Sequence, residues 1–323
     1  MKELLSMNHI TMDFQVKKQL FSSLIVRAVD DVSLKLEEGE SIGIVGESGS
    51  GKTTLGRLAL RLLKPTGGNL LFRGQDITRA SAANLKVFRR QAQGIFQDPF
   101  ASIDPFMNVH QILEEPLLIH RVGSQAVRRE LISQTLKEVK LTPVDDFLPR
   151  YTHTLSGGQR QRVAVGRALI LRPDFILADE PVSMIDASSR AEILYLFKEL
   201  QEKHGISFLY VTHDIATAGY FCRQMAVMYL GKIVEFGQTS SLIRKPHHPY
   251  TQALIRAVPS PDPSNRIHER LVISGESPSP IRPPPGCRFH PRCPNFIVGK
   301  CDVELPQMVT VGEDHSTACY LYP

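Results

Sequence analysis

Four groups of residues have types and spacings suited to chemistry. Gly46-Glu47-Ser48-Gly49-Ser50-Gly51-Lys52-Thr53, followed by Thr54, fits G-x-x-x-x-G-K-[ST]. Its glycines let consecutive backbone N–H groups turn inward around an anion, and a helix opening there adds its partial positive charge. In such a loop Lys52 reaches the β- and γ-phosphates of a nucleotide, and Thr53 Oγ ligates Mg²⁺. Asp179 and Glu180 end an apolar run and suit a hard cation and an attacking water. Asp179 would hold Mg²⁺ mainly through its water shell, and Glu180 would polarise the water. Ser156-Gly157-Gly158-Gln159 reads as a Ser-Gly-Gly turn opening a helix, a second anion site. Cys287, Cys293, Cys301 and Cys319, spaced C-x₅-C-x₇-C-x₁₇-C, form a thiol cluster.

These residues need elements to hold them. Ser41–Val45 is a short apolar run, read as a buried strand, and Thr54–Leu63 reads as an amphipathic helix ending near Lys64-Pro65. Strand, glycine loop and helix is the context that turns the motif into a phosphate loop; a plain glycine turn is the bland alternative. Asp174–Glu180 reads as a second strand, with its carboxylates at the C-terminal end where open α/β sheets bind ligands. Ile206–Thr212 reads as a third, ending at His213, which is either structural or placed for function. Ser124–Lys140 has a helical face of Val127, Leu131, Thr135 and Val139.

Composition bounds the rest. The chain has 323 residues, 42% hydrophobic and 22% charged, enough for one large or two modest domains. Its formal charge of +5 is compatible with anionic ligands or a membrane surface and does not demand nucleic acid. No run reaches the ~18 apolar residues of a membrane span. The N-terminus has an acid at Glu3 and no apolar stretch of the kind a secretory leader needs. Of 22 prolines, 14 lie between Pro246 and Pro323, so residues 1–245 read as a compact domain and 246–323 as an extension that wraps or links. Ser277–Pro285 is either a semi-rigid spacer or a polyproline recognition motif.

With Leu155-Ser156-Gly157-Gly158-Gln159 in view, residues 8–245 resemble the ATP-binding subunits of ABC transporters. The resemblance implies an α/β fold: an ABC-type P-loop NTPase core, an antiparallel β subdomain, a helical subdomain at about residues 98–160 and a Pro/Cys-rich C-terminal extension. It implies a head-to-tail dimer, with each ATP between one subunit's phosphate loop and the other's Leu155–Gln159 signature. Phe96-Gln97-Asp98-Pro99 looks like the Q-loop, with Gln97 sensing Mg²⁺ and the γ-phosphate. Asp179 and Glu180 match the Walker B aspartate and the catalytic base, and His213 matches the switch histidine. Ser183-Met184-Ile185-Asp186 stands at the D-loop, where Ser-Ala-Leu-Asp is usual. Phe21 is the nearest aromatic for stacking on adenine, within an apparent insertion at Lys17–Val26; a hydrophobic loop anchor is the alternative.

Asp98–Ser102, Asp104-Pro105 and His247-His248-Pro249-Tyr250 resemble dipeptide and oligopeptide importers. Val29–Ser33 and Lys52–Arg57 resemble the second of their two ATPase subunits, which implies a heterodimer with a homologous ATPase. Two transmembrane permease subunits and an extracytoplasmic substrate-binding protein are the further implied partners, with no nucleic acid. The implied place is the cytoplasmic face of the membrane, and the implied cargo is peptide, with oligosaccharide or nickel as alternatives. A non-transport ABC ATPase is the weaker reading: there is neither a long heptad insertion nor a second phosphate loop.

In a cytosolic chain clustered cysteines bind metal more often than they pair. Four thiolates satisfy tetrahedral Zn²⁺ or an iron–sulfur cluster, and the spacing lacks paired C-x₂-C. The same resemblance implies a [4Fe–4S] cluster, with Zn²⁺ as the alternative. His290 and His315 are alternate ligands or surface histidines, and Cys222 is a small core hydrophobe.

Overall fold

The computed structural model describes residues 2–19, 22–98, 103–258, 275 and 278–322. Phe21, Pro99–Ser102 and most of the proline-rich spacer's approach, 259–274, lie outside the described residues. Contacts divide the chain into two compact units. One is chiefly Ala80–Leu209 with Glu37–Glu40; the other is Glu3–Leu36, Ser41–Arg79 and the chain from Tyr210 onward.

The second unit holds two sheets. Strands β1 (Glu3–Gln19), β2 (Ser22–Glu37), β4 (Gly67–Phe72) and β5 (Gln75–Asp76) form a four-stranded sheet in the order β2-β1-β4-β5. β1 and β4 run antiparallel, Leu5 opposite Phe72. In β2 buried Val32, Leu34 and Leu36 alternate with exposed Asp31, Ser33 and Lys35, the period of a sheet with one face packed and one wet.

The other sheet is built differently. β3 (Ser41–Val45) is buried at every residue and lies parallel to β9 (Gln224–Tyr229), Ile42 opposite Gln224 and Val45 opposite Val227. Continuous apolar runs of this kind suit parallel strands covered on both faces. β10 (Lys232–Gln238) returns antiparallel to β9. The C-terminal hairpin of β11 (Val309–Gly312) and β12 (His315–Thr317) then joins β10, Glu235 opposite Thr317. The extension therefore adds strands to an existing sheet instead of building a core of its own.

Helix α1 (Lys52–Ala59) follows β3. It starts two residues before the expected Thr54 and stops four short of Leu63, because Gly51 takes a positive φ of 101° and Arg61 a positive φ of 52°. Helices α8 (Ile215–Phe221), α9 (Thr239–Arg244) and α10 (Pro249–Ala257) complete this unit's regular helices among the described residues.

In the first unit, α2 (Ala82–Gln91) leads into β6 (Ala92–Ile95), which pairs in parallel with β7 (Phe175–Asp179). β8 (Ser207–Thr212) begins in this unit and ends in the second. Between β6 and β7 come α3 (Val109–Ile119), α4 (Gln125–Glu138), the short α5 (Val144–Phe147) and α6 (Gly157–Leu169); α7 (Ala187–His204) follows β7. Gly166 of α6 lets the helices approach closely: a Cβ there would lie 3.4 Å from Leu113 and 3.5 Å from Thr135.

The buried face of α4 differs from the expected one. Ile132, Thr135, Leu136 and Val139 are buried, whereas Val127 is 48% exposed and Leu131 half-buried. The two stripes share Thr135 and Val139, and the real one turns toward Ile132 and Leu136 by less than the ~100° step of one residue. The neighbouring Gly166 crossing selects it, and local periodicity did not reveal that crossing.

Candidate functional site

The second unit builds the phosphate loop from β3 and α1. Gly46 and Gly51 are required by close approach: a Cβ on Gly46 would lie 2.1 Å from the Met228 carbonyl, and one on Gly51 2.2 Å from the Ala28 carbonyl. Gly49, at φ 79°, has open space on its side-chain face. Ser50 N–H donates to the Glu47 carbonyl at 3.2 Å, and the Ser50 carbonyl accepts from Gly231 N–H at 2.7 Å. Lys52 is buried, with Nζ donating to the Gly46 and Glu47 carbonyls, both at 2.8 Å. Gly51, the N-cap of α1, contributes no side-chain cap. A helix that opens without a side-chain cap suits an anion at its first turn, and a side chain at Gly46 or Gly51 would clash with the chain's own backbone. Thr53 stands in that first turn.

In the first unit β7 ends at Asp179, buried at 4% exposure, followed by Glu180 with φ 47°. A non-glycine residue with this backbone conformation is uncommon and re-aims its side chain away from the strand. Ser183 holds it there: its N–H and Oγ both donate to the Glu180 carbonyl, at 3.2 and 3.0 Å. Asp186 then caps α7 by accepting from Ser189 N–H at 2.9 Å. The hydrogen bonds from Ser188 and Ser189 hold its carboxyl well below the usual carboxylate range. Met184, the departure from the usual D-loop, is 65% exposed.

Also in the first unit, Ser156 opens α6 with a reciprocal capping box. Ser156 Oγ accepts from Gln159 N–H at 3.2 Å, and Ser156 N–H donates to Gln159 Oε1 at 3.0 Å. Ser156 and Gly157 are exposed; Gly158 is buried, where a Cβ would approach Ser189 Oγ to 3.0 Å. Gln97 is exposed at the end of β6's exit. His213 is exposed after β8, beside Asp214, whose carboxylate caps α8 by accepting from Ala216 N–H at 2.9 Å.

The extension's cysteines are all free of disulfides. Cys287, Cys293, Cys301 and Cys319 line one small cavity together with Phe289, His290 and Tyr320. Burial pushes the Cys287 thiol up to about 11 and raises Cys293 and Cys319 as well. Among the described residues no group of three or more His, Cys, Asp or Glu is arranged to hold a single metal ion. Four thiols around one cavity, without single-ion closure, is the observation that any ligand there must satisfy.

His290 Nδ1 is bonded to the Cys287 carbonyl at 2.9 Å. His315 is not a surface histidine: it is buried, with Nε2 2.8 Å from Glu235. That carboxylate is wholly buried and also accepts from the N–H groups of His247 and His248. Cys222 is buried as expected, and burial raises its thiol far above the usual range. The sequence marked Tyr250 only as part of a family-like segment and gave Arg288 and Arg292 no role. Yet Arg292 pairs with Glu47 of the phosphate loop and Arg288 with Asp30.

Comparison with known proteins agrees with this layout. The family model described as "ABC transporter" matches residues 29–183, and "Oligopeptide/dipeptide transporter, C-terminal region" matches 234–301. The chain is 42% identical to the oligopeptide transport ATP-binding protein AppF of Bacillus subtilis, covering 99% of this chain and 97% of that protein. It is 44% identical to a Brucella abortus protein described as a peptide import ATP-binding protein, covering 98% and 97%. Among solved structures, the ATP-binding cassette MJ0796, a post-hydrolysis dimer bound to ADP and Pi, superposes with a TM-score of 0.65 at 29% identity. That match covers 73% of this chain and 99% of the other. The cbiO1 component of the cbiONQ transporter of Clostridium perfringens shares the fold, at TM-score 0.66 and 24% identity over 76% and 92% of the two chains. Both family matches and the relatives aligned over nearly the whole chain lead to one conclusion: the chain belongs to the ABC transporter family, as an ATP-hydrolysing, ATP-binding subunit of the oligopeptide/dipeptide import branch.

Proposed function

We propose that the chain, on the cytoplasmic face of the membrane, hydrolyses ATP to drive import of peptides through two transmembrane permease subunits supplied by an extracytoplasmic binding protein. Its ATPase partner in this reading is a homologous second subunit, giving a heterodimer. The observation that carries the reading is the glycine cradle at Gly46–Thr53 with an uncapped α1. The proposed cassette is residues 1–245, with its helical subdomain at about 98–160, and the extension is 246–323.

In this proposal Gly46–Thr54 wrap the phosphates through backbone N–H groups, and Lys52 shifts its donors from the loop carbonyls to the β- and γ-phosphates. Thr53, Asp179 and Gln97 would hold Mg²⁺, whose charge offsets that of the phosphates. Glu180 accepts the proton of the attacking water, and His213 contacts the γ-phosphate as hydrolysis proceeds. Ser156 Oγ already accepts the Gln159 N–H, so its own hydroxyl proton is the group left to donate to the partner's γ-phosphate. Gly157, Gly158 and Gln159 shape that turn. Phe21 remains the proposed adenine platform.

A second reading concerns the thiols. Zn²⁺ at about 2.3 Å from each sulfur needs the four thiolates drawn around one point. A [4Fe–4S] cluster takes four thiolates, and what supports it is that all four cysteines line one cavity. The cluster would then staple the extension. Anaerobically purified chain should be brown with about four irons per chain. One stoichiometric zinc would keep the staple but exclude the cluster, and metal-free protein with an ordered extension would exclude both.

The transport reading is tested by reconstituting the chain with its permeases, second ATPase and binding protein in liposomes. ATP turnover should rise when a peptide-loaded binding protein is added. Stimulation by an oligosaccharide or nickel instead would reassign the cargo, and turnover indifferent to every loaded binding protein would overturn the transport role.

A further inference from the structure

We infer that the C-terminal extension braces the phosphate loop, with Tyr250 and Arg292 as positioning residues for nucleotide binding. The inference rests on reading Gly46–Thr53 as the ATP loop, and it lies wholly within the second unit.

Glu47, the second residue of the loop, is held at three points. Its N–H donates to Tyr250 Oη at 2.7 Å. Its carboxylate takes both arms of the Arg292 guanidinium, at 2.8 and 3.1 Å. Its carbonyl accepts Lys52 Nζ at 2.8 Å. Both extension groups are themselves fixed. The Tyr250 ring is fully buried, 4.6 Å from Tyr229 and 5.4 Å from Phe289 by ring centroid, so its hydroxyl has little freedom. Arg292, with a side chain 7% exposed, also donates to Tyr229 Oη at 3.3 Å. A bidentate guanidinium–carboxylate pair sheltered from water fixes direction as well as distance.

The opposite arm of the loop is tied to the same extension. Arg288 donates to the Leu230 carbonyl and to Asp30. The Leu230-Gly231 turn passes the hold on, because Gly231 N–H donates to the Ser50 carbonyl and Asp30 N–H to the Gly231 carbonyl. Arg288 follows Cys287 and Arg292 precedes Cys293, so both arginines project from the segment that lines the thiol cavity.

A loop held before ATP arrives needs no ordering when it binds. Neither Tyr250 nor Arg292 is placed at the reacting atoms, so their loss should weaken ATP capture and leave the chemical step alone. The test uses the full chain assembled with its membrane partners, reading Kd for a fluorescent ATP analogue alongside KM and kcat. Arg292→Met should raise Kd and KM by about tenfold, as when the competent loop falls to about a tenth of the population, with kcat within about twofold. Arg292→Lys, a single-point donor, should recover part of the loss. Tyr250→Phe keeps the aromatic packing, removes only the acceptor and should cost about threefold in Kd. If Arg292→Met fails to fold, Tyr250→Phe and Arg292→Lys decide. A Glu47→Gln/Arg292→Met double variant no weaker than Arg292→Met alone would confirm the pairing. Folded Tyr250→Phe and Arg292→Met proteins with unchanged Kd, or a loss confined to kcat, would overturn the brace. Failure of the wild-type chain to bind ATP, or normal binding by Lys52→Ala, would instead overturn the ATP-loop reading.

Discussion

Helices α1 and α6 both open where the family places a phosphate, and their first turns are built in opposite ways. Gly51 enters α1 at φ 101° with no side-chain cap, whereas Ser156 enters α6 at φ −66° with its cap and the Gln159 return bond both made. The first helix opens without a side-chain cap, beside Gly46 and Gly51, whose positions admit no side chain. The second satisfies donors itself and offers a hydroxyl at the surface. In the proposed reading the first of these turns holds ATP within one chain, and the lack of a side-chain cap suits that role. A site that meets ATP only through a partner must stay folded without it, and the capping box does that at no loss of the outward O–H.

The largest effect should come from a residue at neither helix. Glu180→Gln should lower steady-state turnover in the assembled transporter by about 10²–10⁴-fold while ATP still binds, because an amide cannot accept the water's proton. Near wild-type turnover would remove Glu180 as the base. Lys52→Ala should weaken ATP binding to the chain by about 100-fold or more, through loss of a charge-assisted contact and of the donors that hold the Gly46 and Glu47 carbonyls. Gly51→Ala should weaken ATP binding and lower stability by about 1–3 kcal/mol, read by thermal melting, since a positive φ and a 2.2 Å approach to Ala28 both oppose a side chain.

At α6 the sign of the contrast should reverse. Ser156→Ala should leave ATP binding by the isolated chain unchanged, lower stability by about 1 kcal/mol and reduce turnover of the dimer. If Ser156→Ala instead weakened binding by the isolated chain, the two helices would not divide the work as argued. Gln159→Ala should be smallest, a few tenths of a kcal/mol from the lost return bond, seen only in melting.

Local features were legible in the residues. β3, β7 and β8 follow from apolar runs of the right length, and the Ser-Gly-Gly turn opens a helix on a Ser156 cap. The buried stripe of α4 was placed only in part, right at Thr135 and Val139 and wrong at Val127 and Leu131, because a 3.6-residue period says that a stripe exists and the neighbouring helix decides which one is covered. His315 stood open between metal ligand and surface histidine because nothing nearby in sequence announces the buried Glu235, 80 residues away, that receives it.

The sequence by itself determined the glycine loop with its flanking strand and helix, the carboxylate pair and the capped Ser-Gly-Gly turn, since each shows in residues close together along the chain. Only the tertiary structure decided what steadies that loop. Tyr250 is 203 residues from Glu47, Arg292 is 245, and Arg288 is 258 from Asp30. The four thiols likewise share one cavity because the β11–β12 hairpin joins β10 and carries the chain back to it. Side-chain periodicity encodes which face is apolar, but a bond across such distances depends on where the whole chain returns, and no local pattern carries that information.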